Sequence, residues 1–278
     1  MPKAMIQDNT KCIGCRACMV ACKEWNDLPG EVTDFFAGPG YQNPKDLDAN
    51  NFTIITFAEK VEHGDWVFGR QLCMHCLEPA CVSVCPTVAL KKTEIGPVVL
   101  DSDRCIGCRY CMLACPFLVP KYDYDLLNPK ISKCTMCHDR VTNDLRPACA
   151  TVCPTSAISF GDRDEMLTEA KRRIADNPTR YVPHVYGEHE AGGTSVFHLS
   201  SVPFGELGYE MNMPNTAMPN LTHKVMRFIP RVFFTLLAVF GVTAWVVRRR
   251  IRMADERAKA GAAAASSTGD SSSEGGHS

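Results

Sequence analysis

The chain lacks a charge imbalance. Its 30 basic and 31 acidic side chains leave a net charge of −1 with the histidines neutral. That excludes the long-range field that draws a protein to nucleic acid or to anionic lipid. A leader is missing too: the stretch before Cys12 holds no apolar run and no twin arginine. The expectation is a chain that faces the cytoplasm or is exported on a partner carrying the signal. Nor is there a nucleophile with its base. Trp25, His63, His75, His138 and His184 fall into no arrangement that supports acid–base or covalent chemistry. Otherwise the composition is ordinary for a globular protein, 22 % charged and 45 % hydrophobic. A length of 278 residues allows one large or two small domains.

Cysteine is the exception. Sixteen of them fall into four quartets. These are Cys12-x2-Cys15-x2-Cys18-x3-Cys22; Cys73-x2-Cys76-x4-Cys81-x3-Cys85-Pro86; Cys105-x2-Cys108-x2-Cys111-x3-Cys115-Pro116; and Cys134-x2-Cys137-x11-Cys149-x3-Cys153-Pro154. Three thiolates close together on a loop hold three corners of a cubane. A fourth, three residues further on and followed by proline, ligates the other cluster of a pair. Sixteen thiolates therefore match four [4Fe–4S] clusters with none left over.

Rival chemistries fit less well. Zinc takes four thiolates, but its sites pair two separated Cys-x2-Cys halves, and here the cysteines crowd and three quartets end in Cys-Pro. Disulfides need an oxidising compartment, and a Cys-x2-Cys-x2-Cys run is poorly spaced for bridging. Cys134-Thr135-Met136-Cys137-His138 matches the c-type haem motif, but that use strands Cys149 and Cys153.

Ligand swapping orders the quartets. If loops two and three share one domain, loops one and four share another. The expected ligand sets are then Cys12, Cys15, Cys18 and Cys153; Cys134, Cys137, Cys149 and Cys22; Cys73, Cys76, Cys81 and Cys115; and Cys105, Cys108, Cys111 and Cys85. The fold class is α+β: two dicluster ferredoxin-like domains, one split in sequence, with a C-terminal transmembrane helix. Residues 1–50 and 125–175 make the split domain and 51–124 the inserted one. Because assembly and folding are coupled, the metal-free chain is expected to fold poorly. Lys23, Arg104, Arg109 and Lys133 beside the cysteines either raise cluster potentials or are ordinary surface charge.

Between the loops, Ala17–Glu24 reads as a short helix and 26–50 as an irregular loop. Phe52–Phe57 reads as a strand, turning at Gly64-Asp65 into a partner from Trp66. Pro97–Leu100 and Thr155–Phe160 are strand-like, 117–133 links the last two loops, and Asp164–Ile174 is an amphipathic helix. The Pro-, Gly- and Asn-rich segment 176–224 is expected to extend across partner surfaces.

Val232–Val247 is sixteen residues without charge, and reaching back to Phe228 makes twenty. About 20 residues span a bilayer. Arg231 can snorkel and Pro230 is tolerated in a first turn, so 225–250 is expected to cross. Lys224, Arg227 and Arg231 precede the helix, whereas Arg248, Arg249, Arg250, Arg252, Arg257 and Lys259 follow it. That excess predicts a cytoplasmic C-terminus and clusters outside. The Ala-, Gly- and Ser-rich tail, 251–278, is expected to be disordered.

Cys12-Ile13-Gly14-Cys15-Arg16-Ala17-Cys18, Glu24-Trp25-Asn26-Asp27, Cys73-Met74-His75-Cys76, Cys105-Ile106-Gly107-Cys108, Cys115-Pro116-Phe117 and Gly192-Gly193-Thr194 carry a resemblance. Over about residues 10–200, the chain resembles the iron–sulfur subunits that accompany molybdopterin enzymes, above all the beta subunit of membrane-bound, periplasm-facing formate dehydrogenase. This implies a non-catalytic electron-transfer subunit of the inner membrane, single-pass, with periplasmic clusters. It implies four [4Fe–4S] clusters in a line between a molybdenum or tungsten catalytic subunit and a membrane cytochrome b that feeds quinone. The catalytic subunit of that family usually carries the twin-arginine signal. Cysteine at all four positions of loop three departs from the three-iron variant of nitrate-reductase-like relatives. The short N-terminal lead and the short, arginine-flanked helix depart from the formate dehydrogenase pattern. The iron–sulfur subunit of membrane-bound nickel–iron hydrogenase is closely similar, and a soluble polyferredoxin is the reading without a membrane.

Overall fold

The computed structural model describes residues 1–30, 43–59, 66–124 and 130–268. The Gly64-Asp65 turn, His63, and parts of the 26–50 loop and the 117–133 linker lie outside the described residues. In chain order the elements are β1 (Lys3–Asp8), α1 (Ala17–Trp25), β2 (Thr53–Ala58), β3 (Val67–Leu72), α2 (Ala80–Ser83), β4 (Leu90–Lys92), β5 (Val98–Leu100), α3 (Tyr110–Ala114) and β6 (Lys121–Tyr122). There follow β7 (Ile131–Ser132), α4 (His138–Val141), α5 (Ala148–Thr151), β8 (Ile158–Asp162), α6 (Arg163–Asp176), β9 (Val196–Leu199), α7 (Met218–Met226) and α8 (Ile229–Thr268). Residues 1–221 form one compact unit and 222–278 another.

Each cysteine quartet lies between two short strands, and the strand pairing ties distant loops together. β1, just before the first quartet, pairs antiparallel with β8, just after the fourth, in a register that sets Met5 opposite Phe160. Between consecutive quartets the chain makes the antiparallel pairs β2–β3, β4–β5 and β6–β7. The helices match: α1 of the first quartet lies beside α5 of the fourth, and α2 of the second beside α3 of the third. The pairings therefore link the first quartet with the fourth and the second with the third.

The core is built partly of cysteine. Cys18, Cys73 and Cys149 are buried with Met5, Ile54, Ile55, Tyr186 and Phe204 in one apolar cluster. Cys81 and Cys111 are buried with Leu90, Val98 and Ile131 in another. These two clusters, the first of them the largest, therefore depend on the thiols. A third cluster, free of cysteine, seats Ala170 of α6 on Ala4, Ile6 and Phe197.

Two elements differ from what the sequence suggests. The 176–224 segment is no simple surface strip. Its Val196-Phe197-His198-Leu199 run forms β9, which pairs parallel with β1 and is wholly buried. Proline and glycine flank this β-branched and aromatic run without entering it, so the local strand preference prevails over the composition of the whole segment. Gly187 serves as a close approach here. Its φ is +103°, and a Cβ would strike the carbonyl oxygen of Val196.

The second difference is in the other unit. α8 runs on past residue 250 to Thr268. The stretch after Arg252 is rich in alanine, with Glu256, Arg257 and Lys259 among them, and these are strong helix formers. Residues 269–278 lie outside the described residues. At 40 residues, α8 is about 60 Å long, twice the hydrocarbon thickness of a bilayer. Its residues up to Ala263 belong to the one stretch among the described residues, Met218–Ala263, that is long and apolar enough to cross a membrane. Two of its hydroxyls are satisfied within the helix, Thr235 donating to Arg231 O at 2.8 Å and Thr243 to Val239 O at 2.7 Å. Hydrocarbon demands such internal pairing. Pro230 sits in the first turn, where no N–H is needed. Arg249 stacks over Trp245, 5.4 Å from the ring centroid, as an interfacial pair would.

Candidate metal centres

The backbone of the cysteine loops is shaped before any metal is considered. In Cys12-Ile13-Gly14-Cys15-Arg16, both Gly14 (φ +67°) and Arg16 (φ +59°) are left-handed; Gly107 and Arg109 repeat this at +67° and +64°. A Cβ on Gly14 would also meet the Phe68 ring at 2.7 Å. Such turns direct successive N–H groups inward, a cradle for negative charge.

All sixteen cysteines are free thiols, so the disulfide alternative has no support in the geometry. One cavity is lined by Cys12, Cys15, Cys18 and Cys153. A second is lined by Cys22, Cys134, Cys137 and Cys149. A third is lined by Cys85, Cys105, Cys108 and Cys111. The remaining four lie together, Cys76 and Cys81 each feeling the charge of Cys73 and Cys115. These are referred to below as sets one, two, four and three. Each draws cysteines from two quartets. No group of three or more His, Cys, Asp or Glu among the described residues closes on a single metal ion. The haem-like Cys134 and Cys137 face Cys22 and Cys149 instead.

The sets form a series. Cys18 of set one is within electrostatic reach of Cys149 of set two. Cys134 of set two feels Cys73 of set three, and Cys81 of set three feels Cys111 of set four. Exposure follows this order: Cys15 in set one and Cys108 in set four are the two exposed cysteines.

Burial dominates the chemistry of the thiols. It pushes Cys18 up to about 11, Cys22 and Cys81 to about 12, and Cys111 and Cys137 to about 11. Cys12, Cys76, Cys115 and Cys134 are also raised, burial again leading. For Cys85 and Cys153 burial pushes the same way but is outweighed. Cys85 accepts N–H donors from Leu90, Ala89 and Thr87, and Cys153 from Ile158, Ala157 and Thr155. The Cys-Pro-Thr turn therefore prepares a thiolate.

Other polar groups want a negative neighbour. His75, fully buried between Cys73 and Cys76, accepts the Val98 N–H at Nδ1, 2.9 Å away. Its Nε2 then carries the proton, and that donor has no protein partner among the described residues. Arg70 and Lys133 are buried cations beside the thiols. Lys92, half-buried, donates to His75 O at 3.0 Å, and burial brings its pKa down to about 8. Sixteen thiols in four sets, inward N–H groups and buried cations all fit an anionic iron–sulfur cluster.

Comparison with known proteins agrees. A family described as 4Fe-4S dicluster domain matches residues 64–163, and a second family of the same description matches residues 11–89. The nitrate-inducible formate dehydrogenase iron–sulfur subunit of Escherichia coli K12 is 40 % identical over 70 % of this chain and 67 % of its own. The chain belongs to the 4Fe-4S dicluster iron–sulfur subunits of the oxidoreductases. This iron–sulfur subunit is also 38 % identical to the hydrogenase-2 operon protein HybA of Escherichia coli O157:H7, over 73 % of this chain and 71 % of the relative. A protein of Nitratidesulfovibrio vulgaris is 39 % identical over 92 % and 70 %. The two family matches follow the sequence and overlap at 64–89, whereas the strand and helix pairing joins the first quartet to the fourth.

Not every residue noted in the sequence gathers at the iron–sulfur subunit's cysteines. Lys23 donates to Pro29 O at the surface. Arg104 pairs with Asp101 at 3.2 Å, both exposed, and Arg109 lies over the rings of Tyr122 and Tyr124. Trp25 donates to Asp139 under Arg140, and His184 meets Glu190 at 2.7 Å. Of the four cations noted beside the cysteines, only Lys133 is buried among them. Arg70 escapes a reading of the sequence for ligand spacing. Its signal is its place in β3, on the strand face it shares with Phe68 and Leu72, which pack into the cysteine-bearing core.

Proposed function

We propose that each cysteine set holds one [4Fe–4S] cluster, four in all. The chain then carries electrons in single file between a molybdenum or tungsten catalytic subunit and a membrane cytochrome b that serves quinone. When bound, such a cluster takes up and passes on one electron at a time. The residues do the rest. The cysteines fix the order one, two, three, four, the apolar core excludes water between them, and only the two ends reach the surface. That last feature carries the reading: Cys15 and Cys108 are exposed while sets two and three have no exposed cysteine. A store of electrons needs no exposed termini, but a wire between two partners does.

The split domain, 1–50 with 125–175, is supported by the β1–β8 pairing and by α1 beside α5. α8 is read as a single inner-membrane anchor, its basic excess holding the C-terminus in the cytoplasm and leaving the clusters in the periplasm. Export then depends on a signal-bearing partner. The likeness to formate dehydrogenase subunits favours formate as the donor. A nickel–iron hydrogenase partner is the second reading, favoured by the likeness to HybA. The test is anaerobic addition of formate, or of hydrogen, to the complex purified through this chain, followed by cluster reduction in electron paramagnetic resonance (EPR). Reduction by formate alone is expected; reduction by hydrogen alone moves the assignment to the second reading, and reduction by neither overturns both.

A further inference from the structure

Two buried cations stand along the series of cysteine sets with no carboxylate paired to either among the described residues. Arg70 is 3 % exposed. Its Nε donates to Thr53 Oγ1 at 2.8 Å and an Nη to Gln7 Oε1 at 2.9 Å, both neutral partners. It lines the cavity of set one and the cavity of set two. Cys149, Cys18 and Cys134 are the nearby groups able to carry negative charge. Lys133, also 3 % exposed, donates to the carbonyls of Val98 and Cys134. Its charge reaches Cys81 and Cys115 of set three. One cation thus sits at the joint between sets one and two, the other at the joint between two and three. Among the described residues, the arginines beside set four, Arg104 and Arg109, are exposed or ring-stacked.

An unpaired buried cation is costly, because it gives up water without gaining an opposite charge. Four thiolates outweigh the positive charge of a cubane core, so an occupied set is net anionic. One-electron reduction makes it more so. In a low-dielectric interior a fixed cation at contact range then favours the reduced form strongly.

We propose that Arg70 and Lys133 are the built-in counter-charges of the relay, each raising the reduction potential of the clusters in the two sets it lies between. This rests on the reading that the sets hold clusters. Each reduction adds one electron, drawn from the catalytic partner, and the fixed cation answers that charge without an ion or a proton entering the core. Arg70 and Lys133 are positioning residues in this role, since they act through the clusters.

The test is an EPR-monitored redox titration of the purified complex with its full iron content. Arg70→Gln is expected to move the components of sets one and two to more negative potentials and leave set four in place. Arg70→Lys is expected to keep most of the wild-type potential. Gln7→Glu sets a carboxylate on the guanidinium without removing it, and is expected to reproduce the negative shift. Lys133→Met is expected to shift sets two and three instead. Iron-replete Arg70→Gln or Gln7→Glu with unmoved potentials, or with all four components shifted equally, would overturn the proposal. Loss of iron from the Gln, Glu and Lys variants alike would make Arg70 a packing residue, also overturning it. Loss from the Gln and Glu variants with retention in Arg70→Lys would support a need for the charge. A wild-type complex without iron or EPR signals would sink the underlying reading instead.

Discussion

Replacing Cys153 with alanine is expected to abolish the EPR component of the first loop, not that of the fourth loop in which Cys153 lies. Cys153 lines one cavity with Cys12, Cys15 and Cys18. Its loop neighbours Cys134, Cys137 and Cys149 line another, with Cys22. The thiol is also the better prepared of the two kinds. Burial opposes its ionisation, but three N–H donors and Thr155 reverse that. Its loss therefore removes a ready thiolate from set one at the exposed end of the series. Cys153→Ala and Cys15→Ala should lose the same component, and Cys134→Ala should lose a different one. A Cys153→Ala spectrum that matches Cys134→Ala instead would contradict the swapped ligand sets.

Removal of iron by chelation under reducing conditions should leave residues 1–221 without a cooperative unfolding transition. A folded domain holds only about 5–15 kcal/mol net. A structural thiolate–metal site contributes on the order of 10 kcal/mol. Loss of four such sites exceeds anything the remaining contacts can offset, because the main apolar cluster includes Cys18, Cys73 and Cys149 as members. Burial also makes what is left sensitive to alkali. The folded pKa values of Cys18 and Cys22 lie near 11 and 12, above the ordinary 9.0. The unfolded chain therefore releases protons first as pH rises past about 9. Where Cys18 and Cys22 stay buried in the iron-free chain, that structure is firmest below that pH and is lost as pH climbs toward the folded values. Thermal unfolding followed by circular dichroism checks both points. A sharp transition in the iron-free chain, unchanged between pH 8 and pH 10, would contradict them.

The parts of this architecture that can be read from the sequence are those governed by local spacing. Ligand positions on a loop, the helix that follows the first loop and the β-branched and aromatic run Phe52–Phe57 are set by residues a few positions apart. α6 is equally local, acidic at its start with Asp164 and Glu165 and basic at its end with Arg173. What escapes is decided at long range. β9 follows a local strand preference that the proline and glycine around the run obscure, and its burial alongside β1, nearly two hundred residues earlier in the chain, is settled only by the fold. Arg70 is in the core only because β3 packs its Arg70 face between sets one and two; as a sequence character it is one more basic residue. Lys133 is visible as a neighbour of Cys134, but nothing local separates it from Lys23 or Arg104, which remain at the surface. The extension of α8 to Thr268 is the opposite case. Alanine favours helix strongly there, and reading the stretch by its low complexity hides that preference.

The measurement that bears most directly on a four-cluster relay is metal and sulfide analysis of the complex purified through this chain from detergent-solubilised membranes. About sixteen irons and as many sulfides in this subunit, as four cubanes require, are expected beside molybdenum or tungsten and whatever iron the catalytic subunit holds. Nickel in place of molybdenum or tungsten would change the partner and leave the relay standing. Iron well below that amount, or zinc in the cysteine sets, would contradict it.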